Sequence, residues 1–202
     1  MNCPPWPHLL DHILTPMKNF FSILLLLITG CVRLPDQIQP VEQFDLNRYL
    51  GTWYEIARLD HPFERGLTKV TAEYSLREDG GVRVVNRGFS AQTKTWQQAE
   101  GKAYFVQRSD QGLLKVSFFG PLYGAYVIFD LDHEQYRHAL VCGPDRSYLW
   151  ILARTPALPE DVLERLLAKA AASGFDIDGL IFVGHDQKTV PRSDTHQKPA
   201  VP

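Results

Sequence analysis

Tyr49-Leu50-Gly51-Thr52-Trp53-Tyr54-Glu55-Ile56-Ala57-Arg58 joins a short polar lead-in to the first run that has the pattern of a β-strand. Gly51 precedes Trp53 by two positions at the start of this run. A glycine lets the backbone bend tightly, and an indole ring is large enough to fill one end of a core. A G-x-W pattern alone recurs by chance in many sequences, so its meaning depends on the rest of the chain.

From Gly51 to Arg154, apolar and polar residues alternate with the two-residue period of β-strands. Turn-forming residues such as Glu78-Asp79-Gly80-Gly81 separate eight short segments, and no helical pattern lies between them. Such a series is typical of an antiparallel meander, which forms either a barrel or a sandwich. Eight strands can close around side chains or one small ligand.

One helix is expected after the eighth segment. Pro159 stands at the first helical position, and apolar residues between 162 and 170 recur at the helical period. Gly174 is placed to cap the end of this helix. Residues 180–183 then have the pattern of a short ninth strand.

The amino-terminal region has the pattern of a lipoprotein signal peptide. A basic residue, Lys18, precedes an apolar run that ends in Gly30-Cys31, which resembles a bacterial lipobox with Cys31 as the acylated first mature residue. A plain secretory signal or a buried helix is the alternative, but neither explains a cysteine at this position. We predict a signal peptide over residues 1–30 with its functional start at Met17, and a lipidated tether over residues 31–44. Val32 in place of Asp favours the outer membrane.

Composition excludes several classes of protein. The chain is 45% hydrophobic and 22% charged with a formal net charge of -2, which is ordinary for a globular protein and gives no basic stripe for nucleic acid. Cys142 has no partner for a disulfide in the predicted mature domain and is expected to be a small buried residue. The sequence lacks the G-x-S-x-G, H-E-x-x-H and C-x-x-C motifs, so we predict no metal site and no cofactor. Residues 186–202 are polar and aperiodic, and we predict a disordered tail.

Three motifs of this domain resemble those of the lipocalin family, and of its bacterial outer-membrane lipoprotein branch. Gly51-Thr52-Trp53 matches the first motif, Leu131-Asp132 with Tyr136 matches the second loosely, and Arg154 matches the third. The resemblance covers roughly residues 41–185. It implies an all-β fold for a domain over residues 45–185, namely an eight-stranded antiparallel up-and-down β-barrel. One C-terminal α-helix would pack outside this barrel, followed by a short ninth strand.

The first and eighth strands of such a barrel are neighbours. The Arg154 guanidinium can therefore lie over the face of the Trp53 indole, in a cation–π contact that closes one end of the barrel. We predict that Gly51, Trp53 and Arg154 have this structural role and that a ligand enters at the opposite end.

Alternation also predicts which residues face the interior, although it does not distinguish a cavity from a packed core. The predicted ligand-binding residues share an inward position on their strands: Tyr123, Trp150, Glu55, Ala57, Ala72, Tyr74, Val84, Ala103, Val116 and Phe118. Tyr123 and Trp150 each combine a polar donor with a broad apolar face. The small residues of the fourth strand, such as Gly101 and Ala103, are expected to leave space. No inward Arg or Lys is assigned, so a ligand head-group is expected at the open mouth near Arg58, Arg65 or Arg87. The alternative is that these arginines are solvated surface residues.

The resemblance implies a lipid-anchored protein in the outer membrane of a Gram-negative bacterium. Such a protein would store or transport fatty acids, lysophospholipids or similar hydrophobic ligands, and it would not be an enzyme. A homodimer is left open. Two alternatives stand beside this interpretation: a lipocalin-fold enzyme that uses Glu55 and Tyr123, and an interaction module whose barrel is filled.

Overall fold

The computed structural model describes residues 33–185, which form a closed β-barrel with one long helix on its outside. The predicted signal peptide, Cys31 and the predicted tail lie outside the described residues. The barrel strands are β1 (Gly51–Arg58), β2 (Leu67–Leu76), β3 (Val82–Ser90), β4 (Thr95–Phe105), β5 (Leu113–Phe119), β6 (Leu122–Leu131), β7 (His138–Cys142) and β8 (Leu149–Ala153). The remaining elements are α1 (Leu46–Tyr49), α2 (Glu160–Ala172) and β9 (Ile181–Phe182).

The barrel closes because β1 pairs with two other strands. Its first half, Gly51–Tyr54, pairs with β2, and its second half, Tyr54–Arg58, pairs with β8. All the barrel pairs are antiparallel and neighbours follow chain order, while β9 adds to the free part of β1. The predicted eight-stranded up-and-down barrel with an outer helix and a short ninth strand is therefore confirmed.

The two ends of the barrel are built from different connections. Because successive strands run in opposite directions, α1 and the turns after β2, β4 and β6 lie at one end, which we call the closed end. The connections 59–66, 91–94, 120–121 and 143–148 lie at the other end, which we call the open end.

Apolar side chains form one cluster inside the barrel and a second cluster outside it. The inner cluster includes Trp53 and Tyr74. The outer cluster packs Leu166 and Ala170 of α2 against the outer face of β6, β7, β8 and β1. These four strands are consequently apolar on both faces, so alternation along them does not show which residues face the interior.

Helix α2 begins and ends as its sequence predicts, to within one residue. Pro159 is the residue before the helix rather than its first position, and Glu160 and Asp161 occupy the first turn. Gly174 has a φ of +82°, and its amide donates to the Ala171 carbonyl at 2.9 Å. Cys142 is fully buried in the cluster beneath this helix, and burial raises the pKa of its thiol to about 12.

The segment predicted as a tether joins the packed domain before residue 45. Ile38 and Phe44 are 6% and 4% exposed, and the Val41 amide donates to the Ile128 carbonyl at 2.8 Å. Asp45 then caps α1 by accepting from the Asn47 amide. Helix α1 was not predicted, because four residues are too few to show a helical period. Within residues 33–185, no helix is long and apolar enough to cross a membrane.

Candidate functional site

The closed end is held together by contacts of Arg154. Its guanidinium carbon lies 4.1 Å from the centroid of the fully buried Trp53 ring. The same guanidinium donates to the backbone carbonyls of Thr52 at 2.9 Å, Arg48 at 2.7 Å and Tyr136 at 3.3 Å. Burial lowers the pKa of Arg154. The two residues predicted to meet at this end are thus in contact, and the contact joins β1, β8, α1 and the loop after β6.

Gly51 permits this arrangement through its backbone. Its φ of +92° is in the region that favours glycine, and a Cβ there would lie 3.5 Å from Arg154 Nη1. Neither Gly51 nor Trp53 nor Arg154 borders the cavity described next.

The open end leads into a cavity with two connected parts. The mouth chamber has a volume of about 750 Å³ and is bordered by the open-end loops, with Phe63, Tyr148 and Trp150 among its walls. The inner chamber is smaller, about 100 Å³, and reaches down to Tyr49 and Tyr74. Glu64, Asn86, Val116, Phe118 and Trp150 are among the residues that border both.

A β-bulge in β1 determines which of its side chains face this cavity. Glu55 pairs with Leu152 of β8, but the next paired residue is Ala57, opposite Ile151, so Ile56 is the extra residue. Glu55 therefore faces the interior, whereas Ala57 lies in the outer cluster beneath α2. The prediction that Ala57 faces the ligand is wrong for this reason.

The same bulge turns Arg58 into the barrel, where its side chain is 1% exposed. Its Nη1 donates to Glu55 Oε1 at 2.6 Å, and its Nη2 donates to the backbone carbonyls of Glu64 and Leu67 at 2.8 and 3.1 Å. The expectation that Arg58 lies at the solvated mouth is thus wrong. Its donors tie β1 to the loop that precedes β2.

Glu64 joins this group from the open-end loop 59–66. Its carboxylate accepts from Trp150 Nε1 at 3.1 Å and lies 3.1 Å from His61 Nε2. Glu64 is 7% exposed and His61 is 2% exposed. Two carboxyl groups, one guanidinium and one imidazole are therefore buried close together, and of these groups Glu64 borders both chambers.

The two carboxyl groups of this cluster differ in acidity. Burial, reinforced by the neighbouring Glu64 carboxylate, raises the pKa of Glu55 well above its ordinary value, although Arg58 opposes the shift. Burial also acts to raise the pKa of Glu64, but His61, Glu55 and Trp150 together hold it below the ordinary value. The environment therefore favours the protonated form of Glu55 and the anionic form of Glu64, with the Arg58 guanidinium beside Glu55.

Three tyrosine hydroxyls form the floor of the inner chamber. Tyr126 lies between the other two, at 2.8 Å from the Tyr49 oxygen and 2.7 Å from the Tyr74 oxygen. Burial raises the pKa of all three phenols, so they remain neutral. Their hydroxyls bond to one another, which leaves an apolar surface toward the chamber.

Most of the predicted ligand-binding residues border the inner chamber. This set contains Glu55, Ala72, Tyr74, Val84, Ala103, Val116, Phe118 and Trp150. Their role in binding stays a prediction, but the fold brings them together.

Tyr123 does not face the interior as predicted. In β6 the inward residues are Gly124, opposite Val116, and Tyr126, opposite Leu114. The Tyr123 ring instead lies 6.3 Å from the Tyr104 ring, measured between centroids. The Lys115 ammonium lies 5.1 Å from the centroid of the Tyr123 ring. Tyr123 borders only the mouth chamber and is 36% exposed.

Gly101 does not open space for a ligand as expected. A Cβ at this position would lie 2.7 Å from the Ser117 carbonyl oxygen and 2.8 Å from the Phe118 ring. The glycine thus makes room for Phe118 rather than for a ligand. Gly124 provides the open volume, because nothing lies within 4 Å of a Cβ placed there.

Two arginines expected at the mouth are at the surface. Arg65 pairs with Asp60 at 2.8 Å, and its side chain is 63% exposed. Arg87 Nε donates to Gln98 Oε1 at 2.8 Å and borders the mouth chamber.

Asn86, Tyr126 and Glu64 are three of the cavity residues that were not among the predicted site residues. Asn86 is two positions beyond the inward Val84, so alternation could have identified it, and its buried Oδ1 has no hydrogen-bond partner. Alternation does not identify Tyr126, because the residues on the outer face of β6 are also apolar. Glu64 lies in a loop, and no periodic pattern indicates that a loop carboxylate enters the barrel.

Comparisons with known proteins agree with this architecture. A family model described as a lipocalin-like domain matches residues 44–185. The chain is 53% identical over 168 residues to the outer membrane lipoprotein Blc of Vibrio cholerae serotype O1, covering 83% of this chain and 98% of that protein. It is 58% identical over 149 residues to the protein of the same name from Escherichia coli K12, covering 74% of this chain and 84% of that protein.

More distant relatives share the fold. Temperature-induced lipocalin-1 of Arabidopsis thaliana is 36% identical over 168 residues, covering 79% of this chain and 85% of that protein. The structure of insecticyanin from the tobacco hornworm Manduca sexta superposes with a TM-score of 0.62 at 22% identity, covering 77% of this chain and 88% of that one. These matches confirm the resemblance inferred from Gly51, Trp53 and Arg154, and the chain belongs to the lipocalin-like family.

Proposed function

We propose that this protein is an outer-membrane lipocalin that buries one acyl chain of a fatty acid, a lysophospholipid or a similar lipid. The observation that carries the proposal is the mouth chamber of about 750 Å³, which continues into an apolar inner chamber. This volume lies in the range of pockets that hold small ligands. The bacterial relatives are named outer membrane lipoproteins, which supports the predicted location.

The driving force is the transfer of methylene groups from water to an apolar wall. Each CH₂ group buried contributes about 0.8 kcal/mol. Val84, Ala103, Val116 and Phe118 supply such walls, and the tyrosine hydroxyls of the floor are occupied with one another. A chain that extends from the mouth toward this floor separates none of these hydroxyl oxygens from its hydrogen-bond partner.

The charges of the cavity favour a head-group at the mouth rather than at depth. Arg58 borders neither chamber, and both its Nη atoms are committed to Glu55 and to backbone carbonyls. Glu64, held in its anionic form, lies where the chambers meet and repels a carboxylate or phosphate that passes it. Arg87 and Gln98 border the mouth chamber and offer polar contacts there.

Leucine substitutions on the two faces of the barrel wall test this proposal. Gly124→Leu places a side chain in open cavity, whereas Lys115→Leu places the same side chain on the outer face of the adjacent strand. We expect wild type and Lys115→Leu to bind palmitate and palmitoyl-lysophosphatidylethanolamine alike, and Gly124→Leu to bind at least about tenfold more weakly. Native mass spectrometry and titration of Trp150 fluorescence measure binding, with thermal melting as the check on folding.

Two results would overturn the proposal: neither lipid binds to the wild-type protein, or folded Gly124→Leu binds both as tightly as wild type. The second result would place the ligand outside the cavity.

The enzyme alternative lacks the arrangement it required. Glu55 lines the inner chamber and is bonded to Arg58, whereas Tyr123 lies at the mouth against Tyr104 and Lys115. The pair therefore does not converge on one substrate position. The filled-barrel alternative conflicts with the size of the mouth chamber, which exceeds the volume of a single water many times over.

A further inference from the structure

The open end of the barrel carries the large apolar side chains that are most exposed in residues 33–185. We define the apolar rim as Phe63, Trp96, Phe119 and Leu122, which are 64%, 61%, 67% and 76% exposed. Phe63 lies in connection 59–66, Trp96 lies just after connection 91–94, and Phe119 and Leu122 flank connection 120–121. The rings of Phe63 and Phe119 stack with centroids 6.5 Å apart, so two of these connections meet at the rim.

The closed end has the opposite character. Its turns carry exposed ion pairs, with Arg77 Nη2 at 2.8 Å from Asp79, Arg108 Nη2 at 2.6 Å from Asp110, and Arg137 Nε at 3.1 Å from Asp132. At the open end, Arg65 and Asp60 pair with each other beside the rim. The barrel is therefore polarised along its axis, with an apolar rim around the entrance and charged turns at the base. Exposed apolar groups of this extent mark interaction sites.

The start of the described chain lies at the open end as well. Arg146, in the open-end connection 143–148, donates from Nη2 to the Asp36 carbonyl at 2.7 Å. Leu34 packs against the outer apolar cluster just before this point. The segment that leads back to the predicted acylated Cys31 thus leaves the domain beside the entrance to the cavity.

Chain length then limits how far the entrance can be from an anchored acyl group. Asp36 is five positions after Cys31, and five residue steps span at most about 18 Å when fully extended. A strand of eight residues such as β1 is itself about 26 Å long, and β4, with eleven residues, is longer. An anchor at Cys31 therefore holds the open end close to the bilayer and points the charged closed end away from it.

We infer that the open end docks on the bilayer surface, with the apolar rim inserted among the lipids around the cavity entrance. A lipid then moves between bilayer and mouth chamber without crossing bulk water. This inference builds on the proposed function, because it explains how the proposed ligand reaches the cavity. It also uses the predicted acylation of Cys31.

A pair of tryptophan reporters at the two ends tests the orientation. The acylated mature chain, which begins at Cys31, is reconstituted into vesicles of phosphatidylethanolamine and phosphatidylglycerol that contain dibrominated phosphatidylcholine, which quenches tryptophan on contact. Trp96 is the open-end reporter, measured as the difference between wild type and Trp96→Phe. Leu76→Trp in the Trp96→Phe background is the closed-end reporter, since Leu76 is 56% exposed at the closed end of β2. We expect about twofold or greater quenching of Trp96 and no quenching of the closed-end reporter.

Aspartate substitutions test the rim itself. Phe119→Asp with Leu122→Asp is expected to remove the quenching of Trp96 and to slow lipid transfer from vesicles at least about fivefold. Leu76→Asp is the matched control and is expected to change neither measurement. Phe119 and Leu122 also border the mouth chamber, so palmitate binding by each variant is measured in vesicle-free solution and the transfer rates are compared at equal occupancy. Binding in solution tests the proposed function independently of docking.

Several outcomes would overturn the docking inference. The inference would be wrong if Trp96 were not quenched or if both reporters were quenched equally. It would also be wrong if the rim and Leu76 variants transferred lipid at the same rate. A fourth contrary outcome is that the wild-type protein sediments as a dimer, the rim variant sediments as a monomer, and no contact with vesicles is detected. The rim would then be an interface between two copies of this chain.

Discussion

Arg58 Nη1 donates to Glu55 Oε1 across 2.6 Å inside the barrel, although strict alternation along β1 would place these two residues on opposite faces. The extra residue of the bulge, Ile56, brings both side chains to the interior. A guanidinium that enters a barrel needs partners, and Glu55 with two loop carbonyls supplies them. The bonds of Arg58 to the Glu64 and Leu67 carbonyls thereby fix loop 59–66, which forms part of the cavity entrance.

Replacing Arg58 should be strongly destabilising. Arg58→Met leaves two buried carboxyl groups without their cation, and the loss of one partner from a buried pair costs about 3–5 kcal/mol. Urea unfolding measures the change in the free energy of unfolding. Arg65→Met is the control, because Arg65 and its partner Asp60 are exposed and little change is expected. Equal effects of the two substitutions would contradict the structural role assigned to Arg58.

Glu55 should make stability depend on pH in an unusual direction. Its pKa is raised in the folded state above the ordinary value of 4.5, so above that pH the folded state binds more protons than the unfolded state. The free energy of unfolding should therefore fall as pH rises from about 4.5 toward the raised pKa, by at most about 1.4 kcal/mol per pH unit. Glu55→Gln should reduce this decline, as followed by urea unfolding at a series of pH values.

Glu100→Gln is the control for the pH series. The pKa of Glu100 is lowered beside Arg83, so its contribution is lost as pH falls, which is the opposite direction. This variant should keep the decline above pH 4.5. A wild-type protein without such a decline would show that Glu55 is ionised in the barrel.

The closed end should depend on Trp53. Trp53→Ala removes a fully buried ring that contacts Arg154, and such a truncation costs about 3–5 kcal/mol. The melting temperature should fall strongly. Trp96→Ala removes the same side chain from an exposed position and should change stability by about 0.5 kcal/mol or less. A Trp53→Ala protein with wild-type stability would refute the account of barrel closure.

Replacing each of two inner-face glycines with alanine should change stability by different amounts. Gly101→Ala brings a methyl group within 2.7 Å of the Ser117 carbonyl oxygen, so a local shift costing about 1–3 kcal/mol is expected. Gly124→Ala meets nothing within 4 Å and should leave stability nearly unchanged. Thermal melting of both variants decides the matter, and a tolerated Gly101→Ala would show that β4 and β5 move apart easily.

The number and order of the strands could be predicted because the two-residue alternation of a strand is local in sequence. The closure by Trp53 and Arg154 was also accessible, since their positions in the first and eighth strands place them on neighbours in a barrel. Helix α2 was evident from its apolar period and from Gly174.

Which side chains line the cavity depends on the tertiary structure. Alternation predicts inward residues when one face is polar, but α2 covers β6 and part of β1, and both faces of these strands are apolar. Tyr123 and Ala57 were misplaced for this reason and because of the bulge at Ile56. Glu64 enters the barrel from a loop that the buried Arg58 holds in place, and a contact of that kind depends on tertiary structure alone.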